Sequence, residues 1–222
     1  MSVAGTPRTG PRIPYQEAAR ELLRTSVLDG MRELLTERDW SKITLGDVAA
    51  RAGVSRQTLY NEFGSRAGLS QAYALRLADE LVDHVREALD DNVGDARAAI
   101  RVGMTGFFLA AAADPLVRSL LAGEMKPDLL RLITLDAGPL LEHATARLAV
   151  VFQRSWVDAT DAEADVLAHA LVRIALSYIP NPPVPERDAP AEMSALLSPY
   201  VEAIVQVRGV RAPIGDGDHD RA

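Results

Sequence analysis

The sequence predicts an all-α fold in two parts, a small N-terminal unit of three helices and a larger helical body. Three observations carry that expectation. Apolar residues recur at spacings of three and four along most of the chain. Strand-like alternation, a repeat of fixed period and a βαβ rhythm are missing, and Ser, Thr, Gly and Pro stand where about nine or ten helices would start and stop. The 222 residues are 48% hydrophobic and 25% charged, enough to bury roughly 70% of the unfolded surface without a covalent or metal staple.

Residues 1–14 are rich in Gly, Pro, Ser and Thr and read as a flexible arm. Beyond them Ala18, Ala19, Leu22, Leu23, Val27, Met31, Leu34 and Leu35 form one helical stripe, which ends in the polar stretch 37–42. Trp40 and Ile43 are expected to turn back to the core. Thr44 is placed to cap a helix over 45–51 that Gly53 ends, and Ser55 to cap a second that Gly64 stops near Phe63. Ser65 then caps a long helix over 66–91, with Leu69, Ala72, Tyr73, Leu77, Leu81, Val85 and Leu89 on one face. An Ala-rich helix over 95–113 is broken by Asp114-Pro115 from a short one reaching about Gly123. Pro127 opens the next, Gly138-Pro139 interrupt it, and 140–156 continue. Thr160 and Glu163 form a capping box for a helix to Ile179. The Pro-rich stretch 180–190 reads as a loop, 191–207 as a last helix kinked at Pro199, and 208–222 as a disordered tail.

Composition excludes several classes. With no cysteine there is no disulfide, thiolate metal site or Cys nucleophile. The longest charge-free apolar run, 102–113, is short of the roughly 20 residues of a membrane span, and the first residues lack the apolar core of a signal peptide, so a cytoplasmic location is expected. The net charge of −7 is uneven: residues 1–66 carry 10 Arg and Lys against 8 Asp and Glu, the remainder 14 against 23. A slightly basic head on an acidic body suits a protein that meets a polyanion at one end.

The informative stretch is 44–66, TLGDVAARAGVSRQTLYNEFGSR. It reads as two short helices crossing through a tight turn, with Ala49 small at the crossing, Gly53 in the turn, Val54 between the helices and Ser55 opening the second. Val48, Val54, Leu59 and Phe63 face inward. Arg56, Gln57, Thr58, Tyr60 and Asn61 are left near the outer side of the second helix, and Glu62, near its end, is the only acid in that helix. Such a helix fits the DNA major groove, where Arg reads guanine and Gln reads adenine, and the helix starts at Thr44, Ser55 and Ser65 can offer N–H groups to phosphates. The block resembles the DNA-binding domain of TetR-family transcriptional regulators: a Thr-initiated helix, an Ala-Gly-Val-Ser turn, then Leu-Tyr-x-x-Phe. Asn61 stands where His or Tyr is common in that family, and Arg66 where Lys is. The likeness covers roughly 17–75.

The resemblance implies a three-helix helix-turn-helix unit over 15–65 and a ligand-binding and dimerisation domain over 66–207. It implies a homodimer on a palindromic double-stranded operator, released when a small-molecule effector moves the fourth helix. Arg56, Gln57 and Thr58 become the base-reading candidates, and Thr44, Ser55, Tyr60, Asn61 and Arg66 the phosphate candidates. Arg8 and Arg12 are minor-groove candidates if the arm orders on DNA. An activator, or a constitutive DNA-binding protein without effector, remains the alternative. In the body, Met104, Phe107, Phe108, Met125, Leu132, Phe152, Trp156 and Tyr178 are either core or the lining of an apolar pocket. Leu167, Leu171, Ile174, Leu196, Leu197, Val201 and Ile204 look too many for one internal surface, so the last two helices are expected to pair with a second chain. His84, His143, His169 and His219 share no metal-ligand spacing. No nucleophile elbow, phosphate loop or carboxylate pair is recognisable. Neither a cofactor nor an enzymatic activity is expected.

Overall fold

A computed structural model describes residues 15–121, 127–182 and 186–211. The expectations for the arm over 1–14, for Met125 and for the tail beyond Arg211 lie outside them. The elements are α1 (Tyr15–Glu37), a single 3-10 turn (Trp40–Lys42), α2 (Leu45–Arg51), α3 (Arg56–Phe63), α4 (Arg66–Asp91), α5 (Ala96–Ala113), α6 (Pro115–Leu121), α7 (Pro127–Ile133), α8 (Gly138–Arg154), α9 (Asp161–Tyr178) and α10 (Ala189–Arg211). The described residues contain no strand. They form two compact units that divide after Leu69, inside α4. The sequence boundary before residue 66 marks where that helix starts, but its first turn packs with the first unit, where Leu69 is fully buried.

In the first unit α1 lies against α2, and α2 against α3. The core is Val27, Met31, Leu34, Trp40, Ile43, Val48, Ala49, Leu59 and Phe63. Trp40 and Ile43 reach it because the polar stretch after α1 closes into the 3-10 turn, capped by Asp39, whose carboxylate accepts from Ser41 N. Arg66 stacks its guanidinium 4.2 Å from the centre of the Trp40 ring and donates to the Trp40 carbonyl.

In the second unit α8 packs on α9 and α5 on α10. One apolar cluster joins α4 (Leu81, Val85), α5 (Met104), α8 (Leu148, Phe152), α9 (Leu167, Leu171) and α10 (Val201). A Cβ at Gly103 would lie 3.1 Å from Val85 Cα, so that glycine permits the close α4–α5 approach. Two polar contacts fix α4. Tyr73 donates its hydroxyl to Asp114 at 2.8 Å, both fully buried, and the Trp156 indole N–H donates to the Leu89 carbonyl at 2.8 Å. Asp114 also accepts from Leu116 N and Val117 N, which caps α6. By length and hydropathy α5 qualifies as a membrane span, but Ile100, Met104 and Phe107 lie in the core and account for that hydropathy.

Three element boundaries differ from the sequence reading. Gly138 and Pro139 open α8 instead of interrupting a helix, because Pro in a first turn has no helical bond to lose. Ala189 and Pro190 likewise belong to α10, which starts behind Asp188, whose carboxylate accepts from Ala191 N. That helix continues through Pro199 as one element and runs to Arg211, four residues past the expected end at Val207.

Candidate nucleic-acid interface

The crossing of α2 and α3 is set by its caps and its turn. Thr44 Oγ1 accepts from Asp47 N at 3.2 Å while Asp47 Oδ2 accepts from Thr44 N at 2.8 Å, a reciprocal box at the start of α2. The bonds from Thr44, helped by Arg38, hold the Asp47 carboxyl below its ordinary range. Gly53 takes φ 68, a left-handed geometry that a side chain would strain, and Gly64 repeats this after α3 at φ 71. Ser55 Oγ accepts from Thr58 N at 3.0 Å and starts α3, and Ser65 Oγ accepts from Gly68 N at 3.0 Å and starts α4. At Gly68 a Cβ would fall 2.0 Å from the Phe63 carbonyl oxygen, so only glycine allows α4 to leave α3 this tightly.

Leu59 and Phe63 bury one side of α3, with Arg24 5.1 Å over the Phe63 ring. Arg56, Gln57, Tyr60 and Asn61 are exposed on the other side, and Thr58 is half-buried. The only acid of this helix turns inward. Glu62 accepts from Arg20 Nε at 2.8 Å and Arg24 Nη1 at 2.6 Å across to α1. Burial pushes the Glu62 pKa up, but the hydrogen bonds and charges of Arg20 and Arg24 outweigh it, so it titrates below its ordinary range. The outward edge of α3 therefore carries donors and no negative charge, which suits a polyanion.

The expected site residues do not all stand alike. Gln57 Nε2 donates to Asn61 Oδ1 at 2.8 Å. The Thr58 and Ser55 hydroxyls are bonded to each other at 2.8 Å. Arg56 lies back across α2, its guanidinium occupying the space a side chain at Gly46 would need. Arg66, a phosphate candidate, stacks on Trp40 and donates to its carbonyl, where a half-buried guanidinium gains both a ring face and an acceptor. The Arg20–Glu62–Arg24 triplet and the roles of Gly46 and Gly68 escaped the sequence reading. For Gln57 and Asn61 the four-residue spacing was the available signal.

The second unit holds a separate apolar cavity of about 90 Å³. Its wall includes Ala74, Ala78, Leu81, Phe107, Ala144 and Ala175, contributed by α4, α5, α8 and α9. Of the side chains expected to line a pocket, Phe107 and Leu132 are there. Met104 and Phe152 are buried in the core, and Phe108 packs edge-on against Tyr178 at 5.4 Å beside another groove. Large side chains fill space, whereas the cavity opens where alanines leave it. Of the seven residues assigned to pairing with a second chain, Leu167, Leu171, Leu197, Val201 and Ile204 are consumed in the unit's own core, and Ile174 is half-buried. Leu196 stays 65% exposed, with Val166, Tyr200 and Val207 as further outward apolar residues on α9 and α10.

Capped short helices crossing through a glycine turn, with an acid-free outer edge, define a helix-turn-helix transcriptional regulator. Comparison with known proteins narrows this. Residues 27–73 match the family described as bacterial regulatory proteins, tetR family, and residues 95–199 match the bacterial tetracyclin repressor C-terminal domain. The chain belongs to the TetR family of transcriptional regulators. It is 58% identical over 191 residues to the HTH-type transcriptional regulator AlkX of Mycobacterium tuberculosis, covering 86% of this chain and 90% of that one. It is 40% identical, at a TM-score of 0.77, to the crystal structure of a TetR family repressor, AlkX from Dietzia sp., implicated in biodegradation of n-alkanes, over 82% of this chain and 97% of that one. A TetR regulator from Rhodococcus sp. shares the fold at a TM-score of 0.54 and 17% identity, over 84% of this chain and 97% of that one. DNA is thus the macromolecular partner of this regulator.

Proposed function

We propose that this regulator is a cytoplasmic, non-catalytic repressor that binds a palindromic operator as a homodimer and leaves it when a small apolar molecule fills the second unit. The acid-free outer edge of α3 carries the DNA part of this reading. Arg56, Gln57 and Thr58 form the base-facing edge. Thr44, Ser55, Tyr60 and Asn61 contact phosphates, while Arg66 acts indirectly by holding the start of α4 on Trp40. The exposed Val166, Leu196, Tyr200 and Val207 supply a dimer face on the last two helices.

The cavity supports the effector part. Its wall is mostly aliphatic, with Phe107 and a single ionisable residue, Glu80, among the lining side chains. The Dietzia relative's link to n-alkane biodegradation names a ligand class of that chemistry, a straight saturated chain. At about 90 Å³ the cavity is smaller than the roughly 150 Å³ apolar cavity that admits benzene in another protein. A longer chain enters only by spreading the surrounding helices, and a ligand that prefers the spread state shifts the equilibrium toward it.

The test is fluorescence anisotropy with duplexes from upstream of the protein's own gene, with and without n-decane. Preferential binding that decane weakens is the expected result. Gln57→Ala is expected to cost about 1–3 kcal/mol on the preferred duplex, whereas Tyr60→Phe weakens all duplexes alike. Equal binding of every duplex by wild type and Gln57→Ala would overturn the base-reading assignment.

A further inference from the structure

The outward side chains of α3 are not independent of one another. Gln57 and Asn61, one helical turn apart and both exposed, are joined by the bond from Gln57 Nε2 to Asn61 Oδ1 at 2.8 Å. That bond occupies one Nε2 hydrogen and leaves Gln57 with one N–H donor beside its Oε1 acceptor. Adenine presents the complementary pair in the major groove, an N7 acceptor beside an N6 amino donor. A free glutamine can turn its amide over and must freeze several torsions on binding. With Asn61 Oδ1 turned toward Gln57, Nε2 is the end that faces it, and Asn61 keeps its own Nδ2 donors for a phosphate.

The neighbours leave Gln57 as the forward group. A Cβ built at Gly46 would stand 2.5 Å from Arg56 Nη2 and 2.7 Å from its Cζ and Nε, so the guanidinium is seated on α2, away from the tip of α3. Thr58 Oγ1 is engaged with Ser55 Oγ. We infer that Asn61 is a positioning residue for base readout: it fixes the Gln57 amide so that the pair reads an adenine in each half-site. This rests on the DNA-binding reading above.

The experiment is selection from a random-sequence duplex library by the full-length wild type, followed by affinity measurements on the selected duplex. One half-site position is expected to require adenine, and replacing it there with 7-deazaadenine, which lacks N7, weakens wild-type binding roughly tenfold or more. Asn61→Ala removes most of that discrimination, Asn61→Asp keeps it at lower affinity because the acceptor survives, and Asn61→Ala adds no further loss of discrimination to Gln57→Ala. Asn61 is exposed, so these variants leave the core intact. If Asn61→Ala lowers affinity for every duplex by one factor and leaves the adenine preference whole, Asn61 only touches phosphate and the inference falls. If Arg56→Ala rather than Gln57→Ala abolishes the preference, it falls as well. A library that yields no enriched duplex with the wild type removes the DNA-binding reading itself.

Discussion

Ala144 sits on the wall of the apolar cavity, fully buried on α8. Replacing it with Leu adds three carbons where the cavity offers about 90 Å³. At about 24 cal/mol per Å³, removing that void is worth about 2 kcal/mol, and three buried methylenes at about 0.8 kcal/mol each give a similar figure. Branching forces some overpacking, which costs about 1–3 kcal/mol. The net expectation runs from a loss of about 1 kcal/mol to a gain of about 1 kcal/mol, or roughly 2–4 °C in melting temperature either way for a unit of this size. Circular dichroism melts measure it, repeated with n-decane. Wild type is expected to melt higher with decane, and Ala144→Leu to show little further rise, because its own side chain holds the space. A loss of more than about 3 kcal/mol would show that the wall is closed and the void unusable. A decane shift equal to the wild type's would place the ligand elsewhere.

Other outcomes follow from the first unit and from the outer face of the second. Glu62→Gln removes the negative charge and one of the two acceptor oxygens facing Arg20 and Arg24 and is expected to destabilise the protein by about 1–2 kcal/mol at neutral pH in denaturant titration. Because the folded-state pKa of Glu62 is depressed, its contribution is full above the ordinary carboxylate value. It fades as pH falls through the lower folded value, so the two proteins converge in acid. Gly68→Ala puts a Cβ 2.0 Å from the Phe63 carbonyl oxygen and is expected to cost at least about 2 kcal/mol, read as a lower melting point together with weaker DNA binding. An unchanged melt would mean that α3 and α4 separate freely. Leu196→Glu, on the exposed face of α10, leaves the core untouched and is expected to yield monomers in sedimentation or size exclusion. Dimers of wild-type strength would place the pairing face elsewhere.

Local signals were legible in the sequence, and contacts between distant segments were not. The offsets of Thr44, Gly53, Ser55 and Phe63 and the box of Thr160 with Glu163 are read from neighbours three to nine residues apart. The structure reproduces them, with both halves of the second box in place. Arg20 and Arg24 lie 42 and 38 residues before Glu62, and nothing local joins them to it before α1 and α3 pack. Hydrophobicity alone does not locate a cavity, since the alanines at 74, 78, 110, 111, 144 and 175 converge only in the folded body. It also overfilled the dimer face. Leu167, Leu171 and Val201 belong to a core that must close against α4, α5 and α8 within one chain. Pro190 misled in the other direction. A proline reads as a stop, yet behind a capping Asp188 it is a start.

The chain has two tryptophans, and the fold gives one to each compact unit: Trp40 beneath the Arg66 guanidinium, and Trp156 tethered to the Leu89 carbonyl. Each is therefore a built-in optical reporter of a separate region. Single Trp→Phe variants would let emission from either region be followed alone during denaturation. Independent melting of the two units could then be told from concerted melting with no attached dye.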